Sequence, residues 1–418
     1  MTKRVGQIVR LLVAVAGVSF IVLTLTWQDH VVLPAGYELV GGTTVSEPTA
    51  FAVIEQKPDT LVIDTSGTGD YPKTAIDRDA LGRSAGEPRF KPGVVTTVTR
   101  VDWRLVIGAL AIMGVVFPIQ TWRWLILMRS QQMVVGFGRA FRLTMAGLFF
   151  NFCMPGTTGG DVVKAYYTAK NSGQQTTGVM SVLLDRVAGM VGLVLLAALV
   201  GLTMLDEPVV GKLTLGLWLG LLGLAAGTGL YLAPGWREAL RLHKLRQWLP
   251  GGALLAKIDE AAAAYRHHKA TVATAVGVSV IVHLCLMTSA ALVGKALGLG
   301  LPITLLLAVL PLVLLVGALP ITFQGIGVME WLVLQLLYDP AQPELATANQ
   351  LVGMLLLFRL CMLVYALLGS LVLLKGDIHL FPQKHEATAT DAEPEPSEPK
   401  PGHAKTADAD TSLATSHT

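Results

Sequence analysis

Leu143-Thr144-Met145-Ala146-Gly147-Leu148-Phe149-Phe150-Asn151-Phe152-Cys153-Met154 is an apolar run that stops at Pro155-Gly156-Thr157-Thr158-Gly159-Gly160-Asp161. As helix, its twelve residues rise about 18 Å, short of the roughly 30 Å hydrocarbon core of a bilayer. Arg139 and Arg142 precede the run, and Lys164 and Lys170 follow it. Both ends therefore carry the basic signature of a cytoplasmic face. A segment that cannot cross and has the same charge at both ends reads as a re-entrant hairpin.

A second apolar stretch is broken in a related way. Ile303–Leu319 is interrupted at Pro320-Ile321-Thr322-Phe323-Gln324-Gly325-Ile326-Gly327 and resumes as Val328–Tyr338. It follows a span expected to end outside, and Asp339-Pro340-Ala341-Gln342-Pro343-Glu344 after it reads as external. The expectation is a hairpin of opposite entrance, although its first limb is also long enough to cross. Broken backbone at membrane depth needs protein or a wet cavity around it. Gly/Pro-interrupted segments in two halves of a chain point to a transport site near the midplane. Pro-kinked helices in a purely structural bundle give the same pattern.

Composition agrees with a membrane setting. Of 418 residues, 52% are hydrophobic and 15% charged, against about 25% charged in soluble domains. Mean hydropathy is +0.57. A soluble globular enzyme, a disordered chain and a disulfide scaffold are excluded. The net charge of +3 conceals a split, because residues 28–100 and 376–418 are both acidic and the membrane body is strongly basic. The bases are dispersed between apolar runs, so they indicate cytoplasmic loops and anionic lipid and not a nucleic-acid partner.

The expected fold is an all-α polytopic membrane protein with about six transmembrane helices, two opposed broken hairpins and a small β-rich or irregular extracytoplasmic insert. Residues 1–27 hold the first helix, Ile8–Trp27, after Lys3, Arg4 and Arg10. It exceeds a usual signal h-region and lacks a small-x-small cleavage site, so it reads as uncleaved. The insert spans 28–100, with β-prone pieces at 52–54, 61–63 and 94–98. The transmembrane body covers 101–375, with spans at Leu105–Met128, Val179–Leu205, Leu213–Leu232, Ala270–Gly294 and Gln350–Leu374. Pro118 is expected to kink the first of these. Trp103, Trp122 and Trp124 suit interfaces, and Arg123 and Arg129 suit the inner face. The connection 234–269, with seven Lys/Arg, reads as cytoplasmic and interfacial. The tail 376–418 reads as disordered. Six spans in the cytoplasmic (inner) membrane place both termini in the cytoplasm.

Few residues can carry chemistry. Asp161 stands where an N-cap is expected, with flanking glycines and Lys164 suited to a lipid phosphate. Asp185, Arg186, Glu330, Arg359 and His283 fall within apolar segments. Ionisable groups there cost about 2.5–3.5 kcal/mol at mid-bilayer and need partners or a cavity. Pairing of Arg359 with Glu330 for packing is one reading; a polar cavity facing a headgroup is the other. His283 reads as a neutral hydrogen-bonding residue between helices. Cys153, Cys285 and Cys361 read as small apolar residues. No Walker loop, His-Glu-x-x-His or Gly-x-Ser-x-Gly is present, and no cofactor or metal is called for.

The stretch from Asn151 to Tyr166 resembles the NxxxPGxxGGDxxR signature of the lysylphosphatidylglycerol synthetase/flippase transmembrane family. Asp185-Arg186 resembles that family's Glu-Arg, Pro320 through Glu330 its LPxxxGGxGxRE segment, and Arg359 a late arginine. Lys164 stands where arginine is usual, Gln324 replaces a glycine, and Met329 replaces an arginine. The loss of two arginines weakens a bidentate phosphate clamp. The resemblance implies a flippase-like membrane domain without the soluble aminoacyltransferase domain of bifunctional members. It also implies a substrate site made of Asn151, Gly159, Gly160, Asp161, Lys164, Arg186, Gly325, Gly327, Glu330 and Arg359.

The expected function is translocation of a phospholipid or lipid-linked intermediate, with a membrane lipid as the partner molecule and without catalytic residues. The alternatives are a membrane glycosyl- or aminoacyl-transferase using Asp161 and Glu330, or an accessory subunit that binds a membrane enzyme through the insert.

Overall fold

The computed structural model describes residues 15–16, 18–40, 42–66, 72–82, 87–153, 159–172, 175–232, 268–318, 323–340, 342 and 345–374. Several expectations fall outside them: the basic start of the chain, Pro155–Thr158, Pro320–Thr322, most of the connection 234–269, and the tail.

The insert folds as an antiparallel sheet. Its strands are β1 (His30–Leu33), β2 (Thr49–Gln56), β3 (Thr60–Asp64), β4 (Lys73–Asp77) and β5 (Arg89–Lys91), in the order β4-β3-β2-β1-β5. Alternation puts Val31 and Leu33 of β1, Leu61 and Ile63 of β3, and Ile76 of β4 into one core with Phe51. Val31 lies opposite Phe51, which pins the β1–β2 register.

Residues 94–98, expected as a strand, instead form α1 (Val94–Thr99). The Asp29 carboxylate accepts from the Gly93 N–H at 2.6 Å and the Thr96 hydroxyl at 2.7 Å. This anchor from a distant segment starts the helix and overrides the β-branched composition.

The membrane body contains α2 (Trp103–Ser130), α3 (Phe137–Cys153), α4 (Gly159–Ser172), α5 (Gln175–Gly201) and α6 (Pro208–Leu232). It continues with α7 (Lys269–Ala296), α8 (Ile303–Gly317), α9 (Val328–Leu337) and α10 (Ala348–Leu374). Among the described residues, α2, α5, α6, α7 and α10 are long and apolar enough to cross a membrane. The chain is therefore a multi-pass membrane protein. Of the expected first span, residues 18–24 are helical and residues 1–14 lie outside the described set. Helix α2 is continuous through Pro118.

Lipid tails offer helices no hydrophobic reason to associate, so close backbone packing has to supply the attraction. A Cβ on Gly192 of α5 would lie 2.3 Å from Ser279 Cβ of α7. A Cβ on Gly369 of α10 would lie 2.2 Å from the Met145 carbonyl of α3. Helix α2 packs on α7, α3 on α10, and α5 on both α7 and α8. Met113, Phe117, Met287, Leu306, Val313 and Leu351 sit in the resulting core.

The sheet is fastened to this bundle by Asn349, at the start of α10. Its amide nitrogen donates to the Thr26 carbonyl, the Thr26 hydroxyl and the Pro92 carbonyl at 2.8–3.0 Å. Its oxygen accepts from the Thr26 N–H at 3.0 Å. One buried side chain thus clamps the chain just before β1 and just after β5.

Trp124 is fully buried and Arg123 is 3% exposed, so both side chains face the protein interior; Trp103 and Trp122 are exposed. Cys153 is exposed as well, whereas Cys361 is buried as expected.

Candidate functional site

The first break lies between α3 and α4. The helices approach so closely that a Cβ on Gly160 would lie 2.0 Å from the Gly147 carbonyl oxygen. Only glycine permits that contact. The Gly160 N–H donates to the Asn151 side-chain oxygen at 2.7 Å, satisfying one open amide at the start of α4. Asp161 is not the N-cap expected from the sequence. It lies inside the first turn, which begins at Gly159, and its carboxylate pairs with the Arg186 guanidinium of α5.

Lys164 is buried, and its aliphatic stem runs along Gly147. Its ammonium lies over the Trp124 ring, 4.9 Å from the centroid, in a cation–π contact. It does not join the Asp161–Arg186 pair.

The second break precedes α9. Gln324, Gly325 and Gly327 have φ of 54°, 70° and 85°, three left-handed residues within four positions. Gln324 occupies a conformation that suits glycine, which gives a physical reason for the glycine usual there in the resembling motif. Glu330 is fully buried in the first turn of α9. One carboxylate oxygen pairs with Arg359 of α10, and the other accepts from the Gly327 N–H at 2.7 Å. Arg359 also reaches the Gln324 carbonyl at 3.5 Å and the Met329 sulfur at 3.4 Å. The packing pair foreseen between Arg359 and Glu330 is thus present.

The two breaks touch. The Gln324 side-chain amide donates to the Asn151 carbonyl, linking the end of α3 to the turn before α9. Of the expected site residues, Asn151, Gly160, Asp161 and Arg186 gather at the first break. Gly325, Gly327, Glu330 and Arg359 gather at the second. Arg186 and Arg359 are each held in a separate ion pair, with Asp161 and Glu330 respectively. An ion pair within the membrane satisfies each charge where an isolated one costs several kcal/mol.

A third pair was not legible. Arg123 donates to Asp185 at 2.8 Å and to the Ser279 hydroxyl at 2.8 Å, joining α2, α5 and α7. His283 lies beside it and donates from Nε2 to the Gly189 carbonyl at 3.0 Å. The available signal was position. Arg123 falls seven residues before the end of α2, inside the apolar run and not after it. Among the described residues no group of three His, Cys, Asp or Glu could hold a metal.

Fold and site together define a polytopic helical membrane protein in which two interrupted helices meet, each carrying an arginine–carboxylate pair. The chain belongs to the lysylphosphatidylglycerol synthase TM region family, whose match covers residues 93–369. The match begins after β5, so the five-stranded sheet lies outside it. A comparison with curated proteins finds no match.

Proposed function

We propose that this protein moves a phospholipid or lipid-linked intermediate between the leaflets of the cytoplasmic membrane, with both termini on the cytoplasmic side. The observation that carries this reading is the meeting of two broken helices through Gln324 and Asn151, each with an arginine held by a carboxylate. Family membership supports a lipid-related role.

In this reading the two arginines exchange a carboxylate for a headgroup phosphate, whose oxygens accept from the same guanidinium N–H groups. Asp161–Arg186 receives the headgroup first, because that pair is partly exposed. Asn151, Gly159 and Gly160 shape the start of α4 beside it, and Lys164 adds positive charge from the buried side. Glu330–Arg359, with Gly325 and Gly327, forms the second station. Movement follows from opening one break while the other stays closed.

The test is translocation by purified protein in liposomes. Fluorescent phosphatidylglycerol, its lysyl ester and an isoprenoid-linked sugar are compared, with Asp161→Asn and Arg186→Gln as variants. Movement of one lipid class that both variants slow about tenfold or more is the expected result. A well-folded protein that moves none of them, or variants that move lipid as the parent does, overturns the reading and directs attention to group transfer.

A further inference from the structure

A groove of about 300 Å³ runs between α5 and α6. Met190 and Val194 line it from α5, and Gly216, Gly220 and Leu224 from α6. We infer that this groove holds one acyl chain of the phospholipid whose headgroup is bound at Asp161 and Arg186. The inference rests on the transport reading above and adds the part of the substrate that the charged residues cannot grip.

Continuity carries the argument. Met190 and Val194 follow Arg186 by four and eight residues, so all three occupy one face of α5. The groove therefore starts about 6 Å along the helix axis, roughly one turn, beyond the Arg186 backbone. A charged end that leads directly into an apolar channel has the shape of a lipid. The Trp218 indole N–H donates to the Ala198 carbonyl at 3.2 Å, tying α6 to α5 beyond Val194.

The glycines make the space. A Cβ added to Gly216 or Gly220 would meet nothing within 4 Å. Gly192 and Gly201 of α5 behave in the opposite way, since a Cβ there would collide with Ser279 and Thr214. Gly192 and Gly201 therefore serve internal helix packing, whereas Gly216 and Gly220 leave space that none of the described residues fills. An apolar groove of this kind does not hold water. Within a bilayer the filling chemistry is hydrocarbon.

The experiment uses phosphatidylglycerol carrying a diazirine in its acyl chain, with full-length protein in nanodiscs and crosslinked peptides mapped by mass spectrometry. A Cβ at either position meets nothing within 4 Å, so Gly216→Leu and Gly220→Leu can enter the groove without a backbone clash, and their melting temperatures should match the parent. The expected result has three parts: crosslinks on the segment 190–194 and at Leu224, a loss of at least fivefold in either leucine variant, and a comparable loss in Arg186→Gln. Crosslinks that persist in Arg186→Gln would mark ordinary boundary lipid and overturn the inference. So would leucine variants that retain labelling, or that change oligomeric state in place of labelling, which would assign the groove to a neighbouring helix. Labelling is scored separately from translocation. Arg186-dependent labelling without lipid movement upholds the groove and rejects transport. Lipid movement unaffected by both leucine variants upholds transport and rejects the groove.

Discussion

At the first break the paired side chains of Asp161 and Arg186 keep 32% and 23% of their surface exposed; at the second, Glu330 and Arg359 keep 0% and 15%. The parts are alike: glycines at the start of a helix, a carboxylate in its first turn, and an arginine from the next long helix. The surroundings differ. Glu330 spends both oxygens inside the protein, one on Arg359 and one on the Gly327 amide. Asp161 sits where outside groups can reach it. A buried charge that loses its partner costs several kcal/mol, whereas an exposed one costs little. Separating the second pair is therefore expected to cost more than separating the first.

The largest expected effect tests the sealed side. Arg359→Ala should lower stability by about 3–5 kcal/mol, because the Glu330 carboxylate is left buried without its partner. Thermal unfolding in detergent measures it, and a loss below about 1 kcal/mol would show that the second break is open after all. Pairing Arg359→Met with Glu330→Gln should recover much of the loss.

Next come the turns themselves. Gly160→Ala drives a methyl into the Gly147 carbonyl and should cost about 1–3 kcal/mol by overpacking. Gly325→Ala meets the Met329 sulfur at 2.8 Å, the Gly317 Cα at 2.9 Å and a left-handed φ of 70°. Backbone contact and backbone conformation both oppose the methyl, so the cost should be comparable, about 1–3 kcal/mol. A loss below about 0.5 kcal/mol for either variant in the same unfolding assay would show that its turn has room to relax.

Gln324 separates two opposing terms. Gln324→Gly relieves the left-handed backbone but loses the bridge to Asn151, so stability should change little. Gln324→Ala loses the bridge and keeps the strain, and should be about 1 kcal/mol the less stable of the two. Identical unfolding midpoints would mean that φ of 54° costs nothing here.

The smallest expected stability effect belongs to the open side. Asp161→Asn or Arg186→Gln should shift stability by about 1 kcal/mol or less. The same substitutions should strongly slow lipid movement in liposomes. A large stability loss with normal transport would reverse the roles assigned to the two breaks.

Much of this architecture was legible in the sequence because the bilayer enforces length and polarity. The spans containing Val179, Leu213, Ala270 and Gln350 announce themselves as apolar runs. The two interruptions announce themselves through proline and glycine. Pairing of Arg359 with Glu330 could be foreseen, since each needed a counter-charge. Arg123 could not be placed, because an arginine between two tryptophans also has the local appearance of an interface. Only the approach of α5 and α7 shows where its charge goes. The segment 94–99 was misread because its β-branched composition is local, while the carboxylate that caps it lies sixty-four residues away in the chain. Pairing partners and tertiary caps depend on contacts that local pattern does not encode.

Consecutive residues on an α-helix project about 100° apart. Asp185 and Arg186 use that offset to grip different neighbours, α2 on one side and α4 on the other. One position along α5 is thereby the common anchor of α2 and α4, which hold it through separate ion pairs.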